Sequence, residues 1–291
     1  MAQAFAVKHK ATYPNIEYPH LLRELVRHKC GALSGDAEAD ERIRRARQSR
    51  KLKAVGEEIN GRLEEARRHL IGRPDPFEGL ARLPFKLFLT TNADDQLERA
   101  LRDRMRFEAV PPALPEEPIS EVCRWHNRPG QRTLPPPADA EVEAWSIESP
   151  RPLVYHLFGK LEYPDSLVLT EDDYFDFLRG PVGTGMQWRF PTAIRATLQD
   201  SALIFLGFRM DAWDFRVLYR SLLAQFDDQR LPQGVNHIAV QLDPEEVGAD
   251  DADHVRESLK QYFADAHIQF FWGRVEEFIQ EFGTRYQAAS T

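Results

Sequence analysis

Short runs of apolar residues that alternate with helix-like segments are the feature that most constrains the fold of this chain. Each run is mostly apolar, as in strands that a sheet buries on both faces. Strands joined by helices run parallel, with the helices covering the sheet. The sequence therefore predicts an α/β fold with a parallel sheet between helices. The predicted strands are residues 83–90, 153–158, 201–206, 237–242 and 268–272, and the predicted helices are residues 96–102, 171–178, 214–223, 254–263 and 275–286.

Two stretches interrupt this alternation. Residues 36–80 are charged and rich in alanine, arginine, glutamate and leucine, a composition typical of exposed helices. Residues 108–150 hold many prolines, which favour irregular structure, with one short strand predicted near 141–147. We therefore expect one domain over residues 1–291 with a helical insert and an irregular insert, the irregular one lying over a cleft.

The charge balance argues against general binding of nucleic acid. Lys and Arg total 38 against 46 Asp and Glu, a formal net charge of −8, whereas phosphate binding rests on basic side chains. The dense basic stretch at residues 42–53 is followed by acidic residues and is typical of a solvated helix face. A nucleic-acid module built on it is the weakest functional hypothesis. The chain has no apolar run long enough to span a membrane and no secretory signal, so we expect a cytoplasmic protein.

Several common kinds of site have no support in the sequence. Cys30 and Cys123 are too few for a four-cysteine zinc site, and His126 near Cys123 matches no strong metal motif, so we expect no metal. A phosphate-binding loop of the G-x-x-x-x-G-K-[ST] type and a G-x-S-x-G nucleophile turn are also missing. These absences argue against hydrolysis of nucleoside triphosphates and against that class of serine hydrolase.

Polar residues and glycines follow three of the predicted strands, where open parallel sheets bind ligands. Asn92 and Asp94 lie on the turn after the first strand; Asn92 could orient a water or a ribose hydroxyl, but helix capping also accounts for both residues. His156 near the end of the second strand is either a core histidine or a proton acceptor. Gly207 after the third strand allows close backbone approach to a ligand or serves a tight turn. We expect these loops to converge on one cleft.

Four blocks of sequence resemble bacterial sirtuin-like domains. Residues 89–101, which contain Thr-Thr-Asn-Ala-Asp, resemble the Thr-Thr-Asn-x-Asp segment of that family. Its later blocks are resembled, in the family's order, by residues 154–159 followed by 166–174, by residues 203–216 and by residues 272–278. The resemblance covers roughly residues 80–285. It implies a Rossmann-like NAD-binding fold, a parallel sheet with helices on both faces, in a family whose members are NAD-consuming effectors of anti-phage defence.

The resemblance also implies roles for particular residues. Asn92 matches the family's catalytic asparagine, and Asp94 matches its nearby ribose-side acid. The remaining residues that match cofactor-binding positions are Thr91, Gly207, Phe208 and Asp211. The implied reaction cleaves NAD⁺ to nicotinamide and ADP-ribose, with Asn92 placing the attacking water and His156 drawing off its proton. NAD⁺ is the expected partner, together with a homo-oligomer and a defence sensor or fused effector domain.

The sequence departs from the family pattern in two places. The family has a histidine directly before the glycine where this chain has Phe158 and Gly159, so that either His156 substitutes or the general base is missing. The glycine-rich turn that cradles the pyrophosphate does not open this sequence either. These departures keep a second hypothesis open: a catalytically degenerate domain that binds NAD or ADP-ribose, or that acts in oligomerisation or sensing. The low cysteine count argues against the zinc-containing protein deacetylases of the family.

Overall fold

The computed structural model describes residues 54, 57, 61, 75–108, 117–123, 139–169, 171–179, 190–210, 213–223, 236–246 and 251–289. The chain divides into two compact units. The first unit contains residues 1–73 and 85–189, and the second contains residues 74–84 and 190–291. The described elements are, in chain order, α1 (Pro76–Arg82), β1 (Leu87–Thr90), α2 (Gln96–Glu108), β2 (Ile119–Val122), α3 (Asp139–Glu143), β3 (Leu153–His156), α4 (Glu171–Arg179), α5 (Thr192–Gln199), β4 (Ile204–Phe205), α6 (Trp213–Leu223), β5 (His237–Gln241), α7 (Ala252–Tyr262), β6 (Ile268–Trp272) and α8 (Val275–Ala289).

The first unit contains a parallel three-stranded sheet in the order β1-β3-β2. The central strand β3 is buried along its whole length, which explains its apolar sequence. Thr90 of β1 and Val122 of β2 both lie opposite His156 in the register. Because the three strands end at the same level, the loops that follow them start from one edge of this sheet.

The second unit contains another parallel three-stranded sheet, in the order β4-β5-β6. An aromatic core packs against it, in which the ring of Phe205 lies 5.7 Å from the rings of both Phe215 and Tyr219. Phe263, 1% exposed, lies 5.2 Å from Tyr219. Aromatic side chains bury large apolar areas, so these rings dominate the packing of this unit.

The structure confirms the α/β class and the parallel strands. Strand β6 has the predicted bounds, and the predicted strand at 201–206 is reduced to Ile204–Phe205. The strand predicted near 141–147 is wrong, because residues 139–143 form a helix that, with the turn after it, buries Val142 and Trp145, whose spacing is helical. Strand β2 was not predicted, because Ser120 and Glu121 interrupt the apolar pattern on which the other strands were predicted. The single-domain prediction stays a prediction, and the basic stretch at residues 42–53 lies outside the described residues.

In the part of the chain that the structure describes, no helix has both the length and the apolar character that a membrane crossing requires.

A left-handed glycine shapes the turn after β3. Gly159 has φ +82°, and a Cβ atom on it would lie 2.2 Å from the backbone oxygen of Ser166. The Ser166 hydroxyl accepts a hydrogen bond from the Lys160 backbone N–H at 2.9 Å, so the two sides of the turn are in contact. Only glycine fits here, for reasons of both conformation and space.

We expect Gly159→Ala to lower the free energy of unfolding by about 3 kcal/mol or more, because the methyl group overlaps a backbone atom in a disfavoured conformation. Gly207→Ala is the matched control: Gly207 also has positive φ, +74°, but a Cβ there meets no described atom within 4 Å. Its expected loss is the conformational cost alone, about 1–2 kcal/mol. Urea unfolding measures both values; equal losses would contradict the steric argument.

Candidate functional site

The loop after β1, residues 91–95, is fixed at both ends by its own hydrogen bonds. The Asn92 backbone N–H donates to the Thr90 hydroxyl at 3.0 Å. At the other end, the buried Asp94 carboxylate accepts from the Gln96 backbone N–H at 2.9 Å, as a cap of α2 does. The Ala93 carbonyl accepts from the Leu161 backbone N–H at 2.8 Å. The half-buried side chain of Asn92 makes no hydrogen bond to the described residues, which leaves its amide available to a ligand.

His156 lies behind this loop at the end of the central strand and is completely buried. Its Nδ1 atom lies 2.9 Å from the Asn92 backbone carbonyl, and its Nε2 atom lies 2.8 Å from Glu98 Oε1. A carbonyl oxygen only accepts, so Nδ1 carries a hydrogen and donates it. The structure thus places His156 in contact with Asn92 through the Asn92 backbone carbonyl. The predicted role of His156 as proton acceptor stays a prediction.

Glu98 is the centre of a buried ionic cluster that the sequence analysis missed. The Glu98 cluster comprises Glu98, Ser120, His156 and Lys160. Besides His156, Glu98 Oε1 lies 3.0 Å from Lys160 Nζ and accepts from the Ser120 hydroxyl at 2.9 Å. The side chains of Glu98 and Lys160 are 3% and 12% exposed. An acidic residue within the apolar face of α2, beside the buried Leu97 and Leu101, was the available signal.

The opposite charges of Glu98 and Lys160 stabilise each other. Burial raises the pKa of Glu98, but the hydrogen bonds and charges of His156 and Lys160 outweigh burial and lower it to about 2. Burial lowers the pKa of Lys160, and the Glu98 carboxylate more than offsets this, so that it is raised. Nε2 of His156 and Nζ of Lys160 lie 2.8 Å and 3.0 Å from the same Glu98 oxygen. One carboxylate oxygen therefore contacts both the imidazole and the ammonium.

Phe158, which stands where the resembling family has histidine, packs into an aromatic group. Its ring is edge-on to Tyr174 at 5.9 Å and to Phe177 at 5.2 Å, both on α4. Phe177 is completely buried. The substitution therefore places an apolar ring that holds α4 against the turn after β3.

In the second unit, a glutamine holds the loop after β4. Gln241 Nε2 donates to the Phe208 carbonyl at 2.7 Å, and Gln241 Oε1 accepts from the Met210 backbone N–H at 3.2 Å. The ring of Phe208 packs on Phe215 at 5.1 Å. Gly207 is exposed, with open space where a Cβ would stand. Gln241 was not among the predicted site residues. Its position near the end of a predicted strand was the feature that could have indicated it.

The structure accounts for the predicted site residues as follows. Thr91, Asn92, Asp94 and His156 lie together in the first unit, and Gly207 and Phe208 lie together in the second. Asp211 lies outside the described residues, and the expected single cleft stays a prediction. Among the residues with described positions, no group of three or more His, Cys, Asp or Glu is arranged to hold a metal ion.

Comparison with protein families decides the relationship of the chain. The family model described as the SIR2-like domain matches residues 86–271. The chain belongs to the SIR2-like domain family. The match begins just before β1 and ends within β6, so this SIR2-like domain draws on strands of both units. A parallel α/β, Rossmann-like architecture and an NAD-related function fit this membership. Comparison with curated proteins gives no significant match.

The Glu98 cluster makes an acid-dependent contribution to stability. The Glu98 pKa falls from 4.5 to about 2 on folding, so its contribution is complete above pH 4.5 and is lost as the pH falls toward 2. We expect Glu98→Gln to be destabilised by about 3 kcal/mol at neutral pH and the difference from wild type to shrink below pH 4.5. Urea unfolding between pH 3 and pH 7 measures this, with Asp103→Asn on the exposed face of α2 as control. A difference that is independent of pH would contradict the assignment.

Proposed function

We propose that this SIR2-like domain is an NAD⁺ glycohydrolase that cleaves NAD⁺, its substrate, to nicotinamide and ADP-ribose. The observation that carries the proposal is Asn92. Its amide stands at the carboxyl end of β1, in the position that binds ligands in parallel α/β sheets. The loop backbone is held by buried groups while the amide itself has no described protein partner. Family membership supports NAD as the ligand.

Cleavage of the nicotinamide bond produces positive charge on the ribose ring, as in other glycoside cleavages. The Asn92 side-chain oxygen suits this step, since an amide oxygen can orient the attacking water and stabilise an oxocarbenium-like sugar. Asp94, buried and capping α2, serves to hold the loop in this scheme. Thr91 contributes backbone groups at the same strand end.

The resemblance also assigns cofactor-binding positions to the loop after β4 in the second unit. Gly207 has room for close approach of a ligand to its backbone, because a Cβ at that position would meet no described atom within 4 Å. Phe208 and Asp211 follow it, with the Phe208 carbonyl fixed by Gln241. Within this loop, backbone groups and an open glycine suit the ribose and phosphates of a nucleotide.

A second candidate function is a degenerate domain that binds NAD or ADP-ribose without cleaving it and acts in sensing or oligomerisation. The observation in its favour is His156. Both ring nitrogens are bonded within the protein and the ring has no exposure, so it offers no free acceptor for a proton from water. Nicotinamide release from NAD⁺ supports the glycohydrolase; NAD⁺ binding without release supports the degenerate domain.

The resemblance to defence proteins supports a biological role for the same chemistry. In this proposal, depletion of NAD⁺ in the cytoplasm of an infected bacterium is the antiviral output. A homo-oligomer, or a sensor or fused effector domain, controls it. Falling NAD⁺ levels after phage infection of cells that express the chain test this context, and unchanged levels argue against it.

Asn92→Ala is the direct test of the catalytic proposal. We expect nicotinamide release to fall by about 10²-fold or more, the usual effect of removing one group that stabilises a transition state. The loop should stay in place, since its described bonds use the Asn92 backbone only. Asn236→Ala, at another half-buried asparagine, is the matched control. Full turnover by folded Asn92→Ala would rule out its catalytic role.

Gln241→Leu tests the second loop. Loss of the amide removes the partners of the Phe208 carbonyl and the Met210 N–H, and we expect the Kd for NAD⁺ to rise about tenfold, equivalent to about 1.4 kcal/mol. Gln269→Leu is the control, because Gln269 is an exposed glutamine on the neighbouring strand β6. Isothermal titration calorimetry measures both; equal affinities in the two variants would remove this loop from the NAD⁺ site.

A further inference from the structure

Glu98, His156 and Lys160 are in contact beside the loop after β1, at 3%, 0% and 12% side-chain exposure. A contribution to stability does not by itself explain why these ionisable groups are placed there. We propose that Glu98 and His156, supported by Ser120 and Lys160, are positioning residues that set the place of Asn92 through its backbone carbonyl. This inference rests on the proposed function for its catalytic consequence. Its geometric part, the placement of the Asn92 carbonyl by the His156 ring, does not depend on that function.

The covalent chain from Asn92 to Glu98 and two hydrogen bonds of His156 together form a closed ring. The chain runs from Asn92 through the Asp94 cap into α2 and reaches Glu98; from there a hydrogen bond of 2.8 Å leads to His156. The rigid imidazole then returns to the Asn92 carbonyl at 2.9 Å. A loop held by the chain on one side and by a planar ring on the other has little freedom to shift. Its amide is thereby held at the strand end.

The bonds of the Glu98 cluster converge on a single carboxylate oxygen. Side-chain atoms of His156, Ser120 and Lys160 all contact Oε1, whereas the buried Oε2 atom has no hydrogen-bond partner among the described residues. These partners come from β3, from β2 and from the turn after Gly159. The carboxylate thus fixes the imidazole from elements that all meet at the edge of the sheet where Asn92 stands.

Energetics point to position rather than stability. Taking charges out of water is unfavourable, and apolar residues of similar volume often replace a buried ion pair with no loss of stability. Glu98, at 3% side-chain exposure, and His156, at 0%, are therefore a poor choice for stability alone. What an apolar pair lacks is a donor for the Asn92 carbonyl. The Nδ1 atom of His156 supplies that donor.

The decisive variant is the double substitution Glu98→Leu with His156→Phe in the full chain. We expect it to fold with a lowered unfolding midpoint, because the pair becomes apolar as a unit while Lys160 keeps only Glu162 as a charged partner. Hydrogen exchange of the backbone amides at residues 91–95 should become faster. The kcat for nicotinamide release should fall about 10²-fold, the effect of a displacement of about 1 Å in a catalytic group. KM for NAD⁺ should stay within a few fold of wild type.

The single variant Glu98→Gln provides the conservative rescue. Its amide oxygen can take the place of Oε1 and accept from the same partners, with the amide nitrogen at the position of Oε2, so that the His156 ring keeps its hydrogen bond to the Asn92 carbonyl. Exchange at residues 91–95 should stay close to wild type, and kcat should stay within about tenfold, well above the double variant. Asp103→Asn is the control on the same helix, at an exposed position.

Two results would overturn the inference: a folded double variant with wild-type exchange and kcat, or a Glu98→Gln variant as impaired as the double variant. The exchange measurement does not depend on activity. If wild type releases no nicotinamide, the proposed function fails, and faster exchange at residues 91–95 in the double variant still supports the positioning role. Unchanged exchange in that case rejects the positioning role as well.

Discussion

The hydrogen bond from the His156 ring to the Asn92 carbonyl joins the loop after β1 to the centre of the sheet. The position of the ring is itself fixed by the parallel ladder. The Cys123 N–H donates to the His156 carbonyl at 2.8 Å, and the Leu157 N–H donates to the Thr90 carbonyl at 2.8 Å. Neighbouring strands therefore hold the peptide of His156 on both sides, and the ring transmits that order to the loop. Strand register, through one side chain, determines where the Asn92 amide stands.

The two units use the same arrangement with different residues. In each sheet the second strand in space is the central one, β3 in the first and β5 in the second. In each, the residue at the carboxyl end of the central strand is polar and bonds the backbone of the loop that follows an edge strand. His156 holds the loop after β1, and Gln241 holds the loop after β4. Strand ends in parallel sheets are where ligands bind, so these bonds order the backbone groups that a ligand would meet.

The strands can be predicted from the sequence where apolar residues dominate, as at residues 268–272, and not where polar residues fill the centre of the strand. Strand β2 contains Ser120 and Glu121, whose polar side chains hide its central pairing with β3. The position of His156 at a strand end was predictable. Its partners were not, because Glu98 and Asn92 lie 58 and 64 residues away in the chain. Local periodicity describes which face is buried, but only the fold shows which charges meet there.

The Glu98 cluster also bears on the choice between an enzyme and a degenerate domain. Phe158 fills the place of a family histidine with an apolar ring packed on α4, a substitution that serves packing. An apolar pair of similar volume would pack as well at the neighbouring cluster, because burial of charges carries a desolvation cost. The cluster instead has the His156 imidazole and the Lys160 ammonium within 3.0 Å of Glu98 Oε1. The position of these groups directly behind the Asn92 carbonyl favours a site in which the position of Asn92 matters to chemistry.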